Sequence, residues 1–255
     1  MVGAVVAVGA DIDREPGRLL GEVEFVGAEQ EQHVRAGQHR SGVKTALARH
    51  QAEIKAAHAR GQWFEAETLQ RLKQHLSRPA PSIVEVGANI GNHVVWYARH
   101  LAPSRICPVE PNPAALTLLE SNIAANGIGP MIDRRGFGFG AGRGAGRFRV
   151  ETAAADNLGA TRLIPAEDGG VETVTLDEMM GDTPVDFIKI DAEGMEIDVL
   201  DGAAQLIARD RPLIWVEVTR GNMMAFVQAW CRRAGYRVID STAYIHTVDY
   251  FAVPK

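Results

Sequence analysis

The sequence predicts a doubly wound α/β domain with a mostly parallel sheet, a C-terminal antiparallel strand and an N-terminal extension. Three observations predict it. From Ile83 onward, short apolar runs alternate with segments of helical spacing. A glycine turn, Gly87-Ala-Asn-Ile-Gly91, directly follows the first of those runs. Two strand-like runs, Arg237–Asp240 and Tyr250–Val253, close the chain in the manner of an antiparallel hairpin.

The elements follow in order. Residues 1–40 are rich in Gly, Glu and Gln with weak periodicity and read as an extension with short strands. Residues 42–59 have helical spacing through Ala46, Leu47, Ile54 and Ala57, with Gly61 as the stop. Residues 1–60 therefore form the extension and 61–255 the main domain. A helix over Glu65–Leu76 sets Phe64, Leu69, Leu72 and Leu76 on one side, and Ser77-Arg-Pro-Ala-Pro81 breaks it. Ile83–Val86 is a strand, and helical spacing runs from Asn92 to His100 until Pro103. Arg105–Val109 is the next strand. Asn112 can cap a helix with Pro113 in its first turn and Leu116, Leu119 and Ile123 inward, ending at Asn126-Gly127. Within the glycine-dense Gly136–Gly146, two Phe residues indicate a strand and a tight turn. Arg147–Val150, Val171–Leu176, Phe187–Ile190 and Leu213–Val218 read as strands. Met195–Leu200 and Met223–Ala234 read as helices, the latter closed by Gly235.

Composition narrows the function classes. The chain has 255 residues, 46% hydrophobic and 23% charged, enough for one α/β domain with an extension. Its net charge of -5 opposes nucleic acid as the main partner, because phosphate binding relies on a clustered positive field. Arg143, Arg147 and Arg149 read as a solvated turn. Neither Cys107 nor Cys231 has Cys-x-x-Cys or Cys/His ligand spacing, so no zinc site is suggested, no metal ligand is assigned, and a reducing, cytoplasmic setting is the simplest inference. No apolar run approaches the ~20 residues of a membrane span. Met1–Ala10 is apolar but short and lacks a basic start, so it is a poor signal peptide.

In a parallel sheet, ligands sit beyond the carboxyl ends of the strands, and three chemical segments fall there. The first is Val84-Glu-Val-Gly-Ala-Asn-Ile-Gly-Asn-His93, where glycines let the backbone approach a ligand and a helix start offers N–H groups. An adenosyl ligand ending in an amino acid suits it: its carboxylate can meet the N–H groups and Glu85 its ammonium. The second is Glu110 in Val109-Glu-Pro-Asn-Pro113, placed to accept from two ribose hydroxyls. A dinucleotide fingerprint needs a middle glycine that Gly87-Ala-Asn-Ile-Gly91 lacks, and an acid at Glu85 suits an ammonium better than a phosphate. The third is Phe187-Ile-Lys-Ile-Asp-Ala-Glu-Gly-Met-Glu196. Asp191 and Glu193 there can act as a base, orient a hydroxyl, hold a divalent cation or cap a helix. Lys189 reads equally as a structural ion pair or a substrate contact. His93, in the first turn of its helix, is a further candidate base or a packing residue. Trp96, Tyr97, His246 and Arg162 read as core, core, loop and surface.

The sequence resembles the FkbM family of class I methyltransferases. The resemblance rests on Gly61-Gln-Trp-Phe-Glu65, the glycine-turn segment, Val109-Glu-Pro-Asn-Pro113, Asn157-Leu-Gly-Ala-Thr-Arg162, Thr175-Leu-Asp-Glu-Met179 and Ile188 through Gly202. It implies a Rossmann-like methyltransferase fold, S-adenosyl-L-methionine as cofactor, and O-methylation of a hydroxyl on a sugar, polyketide or related small metabolite. By position, Glu85, Gly87, Ala88, Asn89, Gly91, Asn92, Glu110 and Asp191 would contact the cofactor. Asp191, Glu193 and His93 are the catalytic candidates. Where the family has an acid after its third strand, this chain has Gly138-Phe-Gly-Ala141, and a backbone N–H or the face of Phe139 is the expected substitute. Two other readings stay open: a catalytically silent cofactor-binding interaction module and a nicotinamide-dependent oxidoreductase. Base-methylating Asp-Pro-Pro-Tyr or Asn-Pro-Pro-Tyr motifs are absent. The extension is a candidate substrate lid or a subunit contact in a homo-oligomer.

Overall fold

The computed structural model describes residues 57, 62–152 and 161–255. The expected extension, with its strands and the helix over 42–59, lies outside the described residues apart from Ala57. So does most of Asn157–Arg162.

The first elements follow the apolar pattern closely. Helix α1 (Ala66–His75) buries Leu69 and Leu72, and strand β1 (Ser82–Val86) is buried along its whole length. Helix α2 (Asn92–His100), strand β2 (Arg105–Val109) and helix α3 (Pro113–Ala125) come next. Asn112 caps α3 by accepting from the Ala114 N–H at 3.0 Å, which satisfies one orphan donor of the first turn.

The middle of the chain builds a separate small sheet that the sequence reading did not foresee. Strands β3 (Phe139–Ala141), β4 (Gly146–Thr152), β5 (Thr161–Pro165) and β6 (Val171–Val174) pair in the order β3-β6-β4-β5. The expected strand Val171–Leu176 stops at Val174. Thr175 instead opens helix α4 (Leu176–Met180): its hydroxyl accepts from the Glu178 N–H at 3.0 Å while Glu178 accepts from the Thr175 N–H at 3.2 Å.

Strand β7 (Phe187–Ile190) leads to helix α5 (Glu196–Asp201) and then α6 (Ala204–Asp210), a helix not expected from the sequence. Strand β8 (Leu213–Thr219) is followed by a 3-10 turn at Arg220–Asn222. The single helix expected over Met223–Ala234 is a π-helical stretch, Ala225–Trp230, running into helix α7 (Cys231–Ala234). Gly235, at φ 67°, ends it. Strands β9 (Tyr236–Ala243) and β10 (Thr247–Pro254) form the antiparallel hairpin.

The main sheet has the order β2-β1-β7-β8-β10-β9, with β2, β1, β7 and β8 parallel and β10 antiparallel to β8. Alternate side chains face opposite layers. Ile83, Ile106, Phe187, Trp215 and Phe251 pack with Leu69, Trp96 and Leu119 on one side. Val84, Cys107, Ile188 and Val216 pack with Val199, Leu206 and Trp230 on the other. Both faces being covered explains why the strands read as continuous apolar runs. Among the described residues no helix is long and apolar enough to cross a membrane.

Candidate active site

The glycine turn after β1 is shaped by close backbone approach. Gly87 and Ala88 both donate to the Val109 carbonyl, at 3.0 and 3.2 Å, which seats the turn on the end of β2. Gly87 sits at φ 80°, and a Cβ there would lie 2.0 Å from the Asp191 carbonyl oxygen. Gly91 sits at φ 84°, and its Cβ would meet Leu119 Cδ1 at 2.5 Å. Both positions therefore demand glycine. Between them Asn89 adopts φ 49°, a left-handed conformation that Asn tolerates better than most residues.

Glu110 stands one strand over. Its Oε2 accepts from the Asn89 N–H at 2.7 Å and its Oε1 from the Asn112 N–H at 2.8 Å. The carboxyl is 5% exposed. Burial pushes its pKa up to about 7, against the pull of those two N–H groups. Each oxygen has taken one bond, and a carboxylate offers roughly four lone-pair sites, so acceptor capacity remains on both.

Glu85 is 1% exposed and points under α2. Its Oε1 lies 3.2 Å from His93 Nδ1 and accepts from the Tyr97 hydroxyl at 3.5 Å. Its Oε2 is buried and has no hydrogen-bond partner among the described residues. His93 Nε2 lies 3.2 Å from Glu65 Oε2. Burial pulls the imidazole pKa down, but the two carboxylates outweigh it and bring it up to about 9. The carboxylates beside both ring nitrogens thus favour the protonated, imidazolium form.

On β7, Lys189 Nζ pairs with Asp191 Oδ2 at 3.2 Å and lies 5.4 Å from the centroid of the Trp215 ring. Burial works against the ammonium, yet Asp191, Glu85, Glu65 and Glu217 together hold its pKa above the ordinary value. Glu193 adopts φ 47°, and burial together with Asp191 lifts its pKa to about 7 despite Arg162 nearby. Farther along the same sheet face, Glu217 and Asp249 stand directly opposite each other on β8 and β10. Burial and surrounding acids raise both pKa values.

Two adjoining cavities open at this edge and share Gly87, Asn89 and Asp191. The larger spans about 620 Å³, its open mouth included, and is walled by Glu110, Pro111, Gly140, Ala141, Leu163 and Met195, with Glu193 also lining it. The smaller spans about 390 Å³, its mouth likewise included, between Phe64, Glu65, Glu85, His93 and Lys189. Gly87, Ala88, Asn89, Asn92, Glu85, Glu110, Asp191, Glu193 and His93 are therefore brought to one cleft. Gly91 sits just behind it as the start of α2. Phe139 is not in the wall: β3 presents Gly140 and Ala141 there, and Leu163 from β5 fills the adjoining space. Among the described residues no group of three or more His, Cys, Asp or Glu side chains is arranged to hold a metal ion.

A family model for the methyltransferase FkbM domain matches residues 85–238, which span the glycine turn, Glu110 and the β7 segment. The chain belongs to the FkbM methyltransferase family. S-adenosyl-L-methionine is its cofactor. Solved structures are also similar to this chain in fold. A methyltransferase FkbM from Methylobacillus flagellatus KT matches at 18% identity and a TM-score of 0.51, over 70% of this chain and 49% of that one. This FkbM chain thus spans about half the length of the Methylobacillus protein. A precorrin-6y C5,15-methyltransferase from Geobacter metallireducens GS-15 matches at 12% identity, over 76% of this chain and 90% of that one, with a TM-score of 0.48. TYW2 of M. jannaschii, solved in complex with AdoMet, matches at 16% identity over 76% and 78%, with a TM-score of 0.42. No curated protein matches the sequence.

Sequence reasoning did not place Glu65 in the cleft wall and left Lys189 between an ion pair and a substrate contact; both line the smaller cavity. Leu163 and the Glu217–Asp249 pair had no local signal, since their neighbourhood arises from strand pairing distant in sequence.

Proposed function

We propose that this FkbM chain is an O-methyltransferase that methylates a hydroxyl of a small or sugar-containing metabolite. The observation that carries the reading is the pair of carboxyls bracketing Gly87: Glu85 with a buried, unpartnered Oε2, and Glu110 with spare acceptor capacity on both oxygens. An ammonium would satisfy the first and ribose hydroxyls the second. The glycine at 87 lets the turn pack against the Asp191 backbone, which brings the β1 and β7 edges of the cleft together. Val109, Ala141 and Leu163 offer the apolar slot a purine requires. An unpartnered carboxylate oxygen opposes the nicotinamide alternative, because it would face a pyrophosphate with like charge.

When bound, the cofactor supplies an electrophilic methyl on sulfur, leaving a neutral thioether. Asp191 and Glu193 line the larger cavity and are assigned to orient the acceptor hydroxyl and take its proton. Glu193 near pH 7 is suited to that task, since a base acts best with a pKa near the working pH. Lys189 anchors Asp191 by its 3.2 Å pair. His93 is reassigned from base to cation, because both ring nitrogens face carboxylates.

The test is transfer of a labelled methyl group to a panel of hydroxyl, amine and RNA acceptors, followed by identification of the methylated atom. An O-methyl product from a small hydroxyl compound, lost in Glu193→Gln with donor affinity kept, supports the reading. An N-methyl or RNA product overturns it. Donor binding without transfer to any acceptor would instead favour a silent binding module.

A further inference from the structure

We infer that Glu65 is a positioning residue of the donor site, holding His93 as the cation that turns Glu85 toward the cleft. The inference rests on the proposed seating of the donor's ammonium at Glu85. His93 bridges the two acids, with Nδ1 3.2 Å from Glu85 Oε1 and Nε2 3.2 Å from Glu65 Oε2. The side chains of Glu65, His93 and Glu85 are 12%, 9% and 2% exposed, so the bridge is poorly screened. With Oε1 engaged by His93 and Tyr97, the other oxygen of Glu85 is the one left without a partner.

The backbone at Glu65 supports a selected role. Glu65 precedes α1 at φ 57° and ψ 33°, left-handed for a residue with a Cβ, while its carbonyl accepts the first helical bond from Leu69 at 3.0 Å. Glycine would take that conformation more easily, so a carboxylate there points to use of the side chain. Two other non-glycine residues in the left-handed region, Asn89 and Glu193, also line the cleft.

Charge balance gives the reason for a second acid. An ammonium arriving at Glu85 would set two cations, itself and His93, against one carboxylate. Glu65 adds the second negative charge, so the formal charges of Glu65, Glu85, imidazolium and ammonium cancel. Without it the imidazolium would yield its proton when the ammonium binds. The other groups facing His93 keep this balance. Tyr97, on the same helix, is held well above its ordinary pKa, by burial first and by Glu85 and Glu65 next. Lys189, from β7, is paired with Asp191. Glu217 and Asp249 lie farther out, on β8 and β10.

The experiment follows the His93 imidazole by NMR at about pH 7.5, with and without S-adenosylhomocysteine, alongside calorimetry of the same ligand. Wild type is expected to hold a charged imidazole in both states. Glu65→Gln is expected to lose that charge on binding and to bind roughly tenfold more weakly, and Glu65→Asp to restore charge and most affinity. Glu65→Gln that binds as wild type with His93 still charged overturns the inference. A neutral His93 in wild type overturns it even if the variant does not fold. Failure of wild type to bind S-adenosylhomocysteine sinks the functional reading instead.

Discussion

The backbone N–H of Asn89 donates to Glu110 Oε2 at 2.7 Å, tying the glycine turn after β1 to the acid after β2. One hydrogen bond thus ties together the two halves of the proposed donor site. Burial, working against this bond, lifts the Glu110 pKa to about 7.

That value sets a pH dependence for donor binding. In the proposed donor site the ribose hydroxyls would donate to the ionised carboxylate, so free protein below about pH 7 would have to release the Glu110 proton to bind. S-adenosylhomocysteine affinity is expected to rise through pH 6–8 and to fall by up to tenfold per pH unit on the acid side. Glu110→Gln should abolish that slope and weaken binding by about 1–3 kcal/mol. Calorimetry across pH checks both.

Gly87→Ala should be severe. The added Cβ meets the Asp191 carbonyl at 2.0 Å, and φ 80° strains any L residue. Gly127→Ala is the control, at φ 65° with nothing within 4 Å. The control should cost about 1–2 kcal/mol and leave donor binding intact. Gly87→Ala should cost more than that and abolish binding, as read from denaturation midpoints and calorimetry.

Lys189→Met removes a cation that is 3% exposed and surrounded by Asp191, Glu85 and Glu65. Breaking a buried pair from one side costs about 3–5 kcal/mol. Urea denaturation should register a loss of that size near neutral pH. A loss below about 1 kcal/mol would mean the ammonium is solvated and worth no more than a surface pair.

Glu217 and Asp249, opposed across β8 and β10, have folded pKa values raised above the unfolded ones. The folded state then holds protons that the unfolded chain releases, so stability declines as pH rises above the ordinary carboxylate range. Glu217→Gln should flatten that decline and leave the variant more stable than wild type at alkaline pH. Denaturation midpoints at acid, neutral and alkaline pH read the slope directly.

The β1–α2–β2–α3 half of the fold was legible because its strands are buried on both faces and its breaks carry Gly, Pro and Asn. Gly87 and Glu110 were legible because each follows a strand directly. The small sheet was not, since β3 has three residues and its partner β6 lies thirty residues on. The face of Phe139, or else a backbone N–H, was expected to stand in for the missing acid. Sheet pairing instead sets Gly140 and Ala141 in the wall, and β5 brings Leu163 against them. His93 read as a candidate base because its helix position was visible while Glu65 and Glu85, on two other elements, were not visible as its neighbours. Contacts made by register or by distant elements leave no periodic trace in one sequence.

The most direct measurement is calorimetric titration of purified wild type and Glu110→Gln with S-adenosylmethionine, S-adenosylhomocysteine and NAD at about pH 8, where Glu110 is ionised. The account predicts binding of both adenosyl ligands, clear weakening in the variant and no heat with NAD. Binding of NAD, or adenosyl affinity indifferent to Glu110, would contradict it.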